Sequence, residues 1–360
     1  MHTEKDDIIP SRPEPIELGA SEPGLVVVSK KSDKPDLAAR LLAGDQLLVS
    51  DRFSTGMAIL AELKRQVFKG QKKENFIAYR EKRSEFYHAS NRLLVPIKKG
   101  KIALKKAPEI GWLEKLYPDL DEFLLSFPQV QGLNSSWQWY LKGIKYPGLK
   151  EKIHPYYGTY FPTRFDHLYL FDKWLKNYTG LKRSAIDIGT GCGVLAFQML
   201  NRGFENVTAS DLNPNSIISA KEHAGKNKLS HRITVIQSDL FEKVDYKADL
   251  VVFNPPWLPA LKDTEGLDSA IYFEAGLFER FFDHAANYIH DNGRLVILFS
   301  NLAESEGVTD LHPVKDELEQ NRRYKKVNFQ KKKVKGSSKK TKRRDHRKKE
   351  FVELWELIPV

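Results

Sequence analysis

Residues 185–197 read AIDIGTGCGVLAF. An apolar run leads into three glycines, Gly189, Gly191 and Gly193, and then directly into helix-forming residues. The run predicts a buried strand, the glycines a tight turn that lets backbone approach a ligand closely, and the residues beyond them a helix whose first N–H groups are free. Strand, glycine turn and helix in that order open an α/β sheet that binds its ligand at the strand's C-terminal end. A dinucleotide is one ligand for such a turn. Two details weigh against it: the spacing is G-x-G-x-G rather than G-x-G-x-x-G, and Asp187 places a negative charge where a pyrophosphate would lie. A ligand with a cationic amine suits Asp187 instead.

On either side of this stretch the chain alternates between strand and helix patterns. Strands are predicted at 184–190, 206–212, 233–240, 248–254, 294–301, 325–334 and 350–360. Such alternation argues for a mainly parallel sheet covered on both faces. Between the last two strands lies only a basic segment, so they should form an antiparallel hairpin. A helix is predicted over 272–289, with Phe278, Phe281, Phe282 and Ala285 on one apolar stripe that reads as core.

Acidic residues stand at the ends of the second and third strands. Asp211, about 20 positions after the glycine turn, suits the hydroxyls of a ribose, and it also suits the cap of the next helix. Asp239 falls at the same sheet edge, where it can accept from an adenine amine. The fourth strand runs into Asn254-Pro255-Pro256-Trp257. Proline has no N–H for the ladder, so the strand must stop near Asn254 and continue as a rigid platform.

The 360 residues carry a formal charge of +11, and twelve Lys or Arg against two acids between Lys331 and Glu350 account for +10 of it. Such a tract is most often solvated, and it also suits nucleic-acid phosphates. Cys192 is the only cysteine, which excludes an intrachain disulfide. The ten histidines are scattered, and no metal site is expected. No apolar run is long enough to span a bilayer, and the charged, proline-bearing start reads as cytosolic.

Residues 1–23 are expected to be unstructured, and 24–150 to form a small α+β domain, with substrate recognition as a possible role. Within it, 24–30 and 45–51 read as strands, Ser54 as the cap of a helix carrying Leu60, Leu63 and Val67, 92–106 as a hairpin, and 112–127 as helical pieces. No motif in this part carries chemistry.

DIGTGCG at 187–193, Asp211, Asp239 and VVFNPPW at 251–257 together resemble the class I S-adenosylmethionine-dependent methyltransferases of the small-domain group. That group is similar to the release-factor glutamine methyltransferases and to the methyltransferases acting on amines of RNA and DNA bases. The resemblance covers about 155–360. It implies a Rossmann-like seven-stranded sheet with an antiparallel last strand over 151–360, including the basic loop 331–350. For the cofactor it implies Asp187, Gly189, Thr190, Gly191, Gly193, Asp211, Leu212, Asp239, Leu240 and Asn254. For catalysis it implies Asn254, Pro255, Pro256 and Trp257, with the Asn254 side-chain oxygen and the Pro255 carbonyl accepting both hydrogens of a planar amine. The segment 156–171 resembles the lead-in that closes over the cofactor. Thr163 and Arg164 within it, Trp257, and Lys339, Lys340, Arg343 and Arg344 of the basic loop are the expected substrate contacts. The implied reaction is methylation of a planar amino nitrogen, with an RNA base as first acceptor and a protein glutamine as second. A non-catalytic nucleic-acid-binding scaffold and a nicotinamide oxidoreductase are the rivals from other classes.

Overall fold

The computed structural model describes residues 8–16, 25–70, 76–260, 272–305, 307–334 and 350–360, with backbone alone for 76–80. The chain divides into two units, Arg12–Leu141, and Met1–Ser11 with Lys142–Val360.

In the first unit, β1 (Leu25–Val28), β2 (Gln46–Val49) and β3 (Leu93–Lys98) are parallel, with α1 (Lys34–Ala43), α2 (Phe53–Val67) and α3 (Phe76–Ser90) in the crossovers. Asp33 caps α1 through the Asp36 N–H, and Gly44 ends the helix at φ 109°, a left-handed conformation that favours glycine. The expected hairpin forms between β3 and β4 (Lys101–Ile102). Two expectations are corrected. Arg52, not Ser54, precedes the first residue of α2, and no side chain caps it. Residues 112–127 are not helical throughout. Helix is confined to α4 (Trp112–Leu116) and to Phe127, which opens the next helix, whereas β5 (Glu122–Ser126) is a strand antiparallel to β3. Its Phe123, Leu124 and Leu125 are buried, and the pairing partner that makes this run a strand lies about 30 residues upstream, beyond the reach of local periodicity. Helix α5 (Phe127–Lys142) follows directly.

Residues 8–16 are held rather than loose. Within the second unit, Ser11 exchanges two hydrogen bonds with the Asn215 amide at 2.9 and 2.7 Å. Within the first, Ile16 bridges to Leu124. The prolines of this stretch prevent regular structure without preventing it from packing.

The second unit starts with α6 (Asp166–Asn177) and then alternates: β6 (Ser184–Ile188), α7 (Val194–Asn201), β7 (Asn206–Asp211), α8 (Pro214–Lys226), β8 (Ile233–Gln237) and β9 (Ala248–Phe253). Two short strands, β10 (Leu258–Pro259) and β11 (Tyr272–Phe273), pair with each other, and α9 (Leu277–Ala285), β12 (Ile289–Ser300), β13 (Tyr324–Lys333) and β14 (Phe351–Pro359) complete the unit. The seven-stranded sheet has the order β13-β14-β12-β9-β6-β7-β8, in which only β14 runs against its neighbours. All six residues of β9 are buried, as a central parallel strand requires.

The predicted helix over 272–289 is shorter than its pattern suggested, because Tyr272–Phe273 is strand and Ile289 already begins β12. Its stripe is core as expected. Phe281 lies 4.3 Å from the Phe253 ring, and Phe278, Phe282 and Ala285 are buried with it.

Candidate active site

Pairing register brings the ends of four strands together. Ile188, the last residue of β6, lies opposite Ser210 of β7 on one side and Phe253 of β9 on the other, and Asp211 lies opposite Gln237 of β8. The glycine turn, Asp211, Asp239 and Asn254 therefore leave the sheet at one edge, where open α/β sheets hold ligands.

The turn is bound on both sides. Thr190 N–H donates to the Ser210 carbonyl at 2.9 Å, and Cys192 N–H to the Tyr160 carbonyl at 3.0 Å. Gly191 sits at φ 54°, and a Cβ there would lie 2.9 Å from that same Tyr160 oxygen. Both its conformation and its space exclude a side chain. The residues leading to Tyr160 are tied down in turn: Asn213 Nδ2 donates to the Gly158 carbonyl at 2.8 Å, and Tyr156 N–H to Ser219 Oγ at 3.1 Å. This lead-in segment lies against the glycine turn and the start of α8.

Asp187 is fully buried beneath the turn. Its Oδ2 accepts from Thr190 Oγ1 at 2.6 Å and from Ala196 N–H at 3.1 Å, whereas Oδ1 is buried with no partner among the described residues. Burial pushes its pKa up to about 7 against the pull of those two donors, and the nearby Asp211 adds to the rise. Asp211 accepts from Gly191 N–H at 2.8 Å and from Asn213 N–H at 2.9 Å. Burial raises its pKa as well, and these donors offset part of the rise. The helix cap expected of Asp211 belongs to Asn213, whose side chain accepts from the Asn215 N–H. Leu212 is exposed, and Leu240 is in the left-handed region at φ 44°.

Two expected contacts are already engaged within the protein. Asp239 pairs with Arg280 of α9 through Oδ2 at 2.8 Å, which leaves Oδ1 as its remaining acceptor. Arg164 pairs with buried Glu350 at 3.2 Å, while Thr163 is exposed. Lys339, Lys340, Arg343 and Arg344 lie outside the described residues.

The fourth strand stops where proline requires, at Phe253. Beyond it, Pro255 is buried and Asn254, Pro256 and Trp257 are half-buried. Asn254 Oδ1 and Trp257 Nε1 are both buried with no hydrogen-bond partner among the described residues. The Trp257 indole meets His167 of α6 edge-to-face, with ring centroids 5.3 Å apart. His167 is a residue that sequence reasoning passed over, because a single histidine in the helical run FDHLYLF carries no motif. Among the described residues, no group of acidic, histidine or cysteine side chains is arranged to hold a metal.

A seven-stranded sheet with one reversed strand, a glycine turn over a buried acid, and an Asn-Pro-Pro-aromatic stop on the fourth strand define an S-adenosylmethionine-dependent methyltransferase. Comparison with known proteins agrees: residues 169–328 match the methyltransferase small domain, and the chain belongs to that family. It is 34% identical over 191 residues to a provisionally named protein N5-glutamine methyltransferase of Methanocaldococcus jannaschii, covering 51% of this chain and 92% of that protein. A release factor glutamine methyltransferase of Streptococcus pneumoniae is 29% identical over 126 residues, 32% of this chain and 44% of that protein. The chain thus spans less than half the length of this second relative. A solved ribosomal protein L11 methylase from Lactobacillus delbrueckii overlays with a TM-score of 0.36 at 17% identity, over 52% of this chain and 76% of that one.

The site's own atoms fit S-adenosylmethionine. The unpartnered Asp187 Oδ1 suits a cationic amine, Asp211 keeps lone pairs for hydroxyls, and Gly189, where a Cβ would meet only the Phe253 ring at 3.6 Å, leaves backbone open to a ligand.

Proposed function

We propose that the protein transfers a methyl group from S-adenosylmethionine to a planar amino nitrogen, and that the acceptor is a base of RNA. The observation that carries the first part is Asn254 Oδ1, buried and unpartnered among the described residues, at the end of a strand that two prolines terminate. A buried acceptor without a donor costs about 1–3 kcal/mol. A planar –NH2 group supplies the missing donor.

S-adenosylmethionine, when bound, supplies an electrophilic methyl. The rest is the work of this chain. Asp187, Asp211 and the glycine turn hold the cofactor. Asn254 Oδ1 and the Pro255 carbonyl accept the two amine hydrogens, which directs the nitrogen lone pair towards the methyl and favours the positive charge that develops there. Trp257 offers its face for stacking the acceptor. Alignment matters more than a strong base, because the amine loses its proton after it gains the methyl.

RNA as the acceptor is supported by twelve basic residues against two acids in 331–350. A protein glutamine is the second reading, favoured by the names of the two relatives above, and its carboxamide presents the same planar amine. The test is incubation with tritiated S-adenosylmethionine and the total RNA and total protein of a strain lacking the gene, followed by mass spectrometry of the labelled fraction. Label on a base amine supports the first reading and label on glutamine the second. Label on neither removes both.

A further inference from the structure

His167 is 2% exposed, and neither of its ring nitrogens has a hydrogen-bond partner among the described residues. Five such unpartnered buried atoms fall on Asp187, Asn254, Trp257 and His167. The first three belong to the motifs at the ligand-binding edge. His167 does not, yet its ring packs on Trp257.

Burial also holds the imidazole neutral, pushing its pKa down to about 4, so it carries one N–H donor and one nitrogen lone pair at neutral pH. Leaving such a ring unsatisfied is unfavourable, and a phenylalanine would pack on the indole equally well. We propose that His167 is an acceptor-binding residue, whose ring N–H donates to the lone pair that neighbours the amine to be methylated. Every planar amine of this kind has such a neighbour: the carbonyl oxygen of a carboxamide, or the ring nitrogen beside the exocyclic amine of adenine or cytosine. Asn254 reads the amine and His167 reads the atom beside it. An alkyl amine such as lysine offers no second acceptor and is rejected. This inference rests on the methyl transfer proposed above.

The test uses the full chain with His167→Phe, His167→Asn and His167→Gln. Phenylalanine keeps the ring and removes both nitrogens; the asparagine amide reaches roughly the place of Nδ1, and the glutamine amide that of Nε2. The first readout is melting temperature without ligand. Removing unsatisfied nitrogens should raise it by about 2–4 °C in His167→Phe; a fall shows that the ring is already partnered within the protein and overturns the proposal. The second is labelling of whichever RNA or protein fraction the wild type methylates. His167→Phe should keep its affinity for S-adenosylmethionine while kcat/KM for the acceptor drops by about 10- to 100-fold, with partial recovery in one amide variant. Wild-type kcat/KM in His167→Phe overturns the proposal while leaving methyl transfer standing. A wild type that labels neither fraction removes the reading on which it rests.

Discussion

The backbone N–H of Gly191 donates to the carboxylate of Asp211 at 2.8 Å, so the acid at the end of β7 braces the glycine turn that follows β6. The same carboxylate takes the Asn213 N–H at the entrance to α8. One side chain thus fixes two backbone segments around the place proposed for a ribose. Asp211→Ala removes both braces together with the acceptor for hydroxyls. Affinity for S-adenosylmethionine should fall by about 30-fold, or about 2 kcal/mol. Calorimetric titration checks this, and unchanged affinity contradicts the assignment.

Asn254 separates binding from chemistry. Its proposed partner is the acceptor amine, so Asn254→Ala should bind S-adenosylmethionine as the wild type does while turnover falls on the order of 100-fold. Single-turnover labelling alongside calorimetry measures the two. Normal turnover sinks the mechanism, and equal loss of cofactor affinity makes the residue structural.

Asp187 predicts a pH dependence. Burial raises its pKa to about 7, so in the free protein the carboxyl takes up a proton as pH falls through that value. A cationic amine binds the ionised form, and binding below pH 7 must therefore displace the proton. Affinity should be greatest between about pH 7 and about pH 8, where the carboxyl is ionised and the ligand's α-amino group still cationic, and fall by up to about tenfold for each unit below pH 7. Asp187→Asn should bind more weakly at pH 8 and lose the dependence. Titrations at pH 6, 7 and 8 decide it, and a flat wild-type profile removes Asp187 as the amine's partner.

The basic segment joins β13 to β14, whose ends are held together by a hydrogen bond from Val334 N–H to the Glu350 carbonyl at 3.0 Å. It therefore leaves from and returns to the end of β13 that lies on the same side as the C-terminal ends of β6 and β9. Replacing 336–349 by a short neutral turn should leave melting temperature and cofactor affinity unchanged. RNA binding should weaken, and the fall of log affinity with log salt should become shallower, since fewer counterions are released. Filter binding at several salt concentrations measures both. Identical affinity and slope would remove the segment as the RNA contact and bring protein glutamine forward.

Much of the sheet and of its binding edge was legible in the residues. Positive φ at Gly189, Gly191 and Gly193 follows from residues that tolerate it, and the end of β9 follows from two residues without a ladder N–H. The strand Glu122–Ser126 was missed for the opposite reason: its run of apolar residues fits helix or strand, and only pairing with β3 decides between them.

By itself the sequence determined what depends on local backbone chemistry: where the chain turns, where a strand must stop, and which periodic faces are apolar. Only the tertiary structure decided what the charged and polar groups do, because desolvation and ion pairing depend on neighbours far along the chain. Asp239 meets Arg280 41 residues away, and Arg164 meets Glu350 186 residues away, so two residues expected to face ligands also hold ion pairs within the protein. Asp187 became a group that titrates near neutral pH through burial, and His167 came to lie buried against Trp257, 90 residues further along the chain. No motif encodes either effect, since each arises from the low-dielectric surroundings that packing creates.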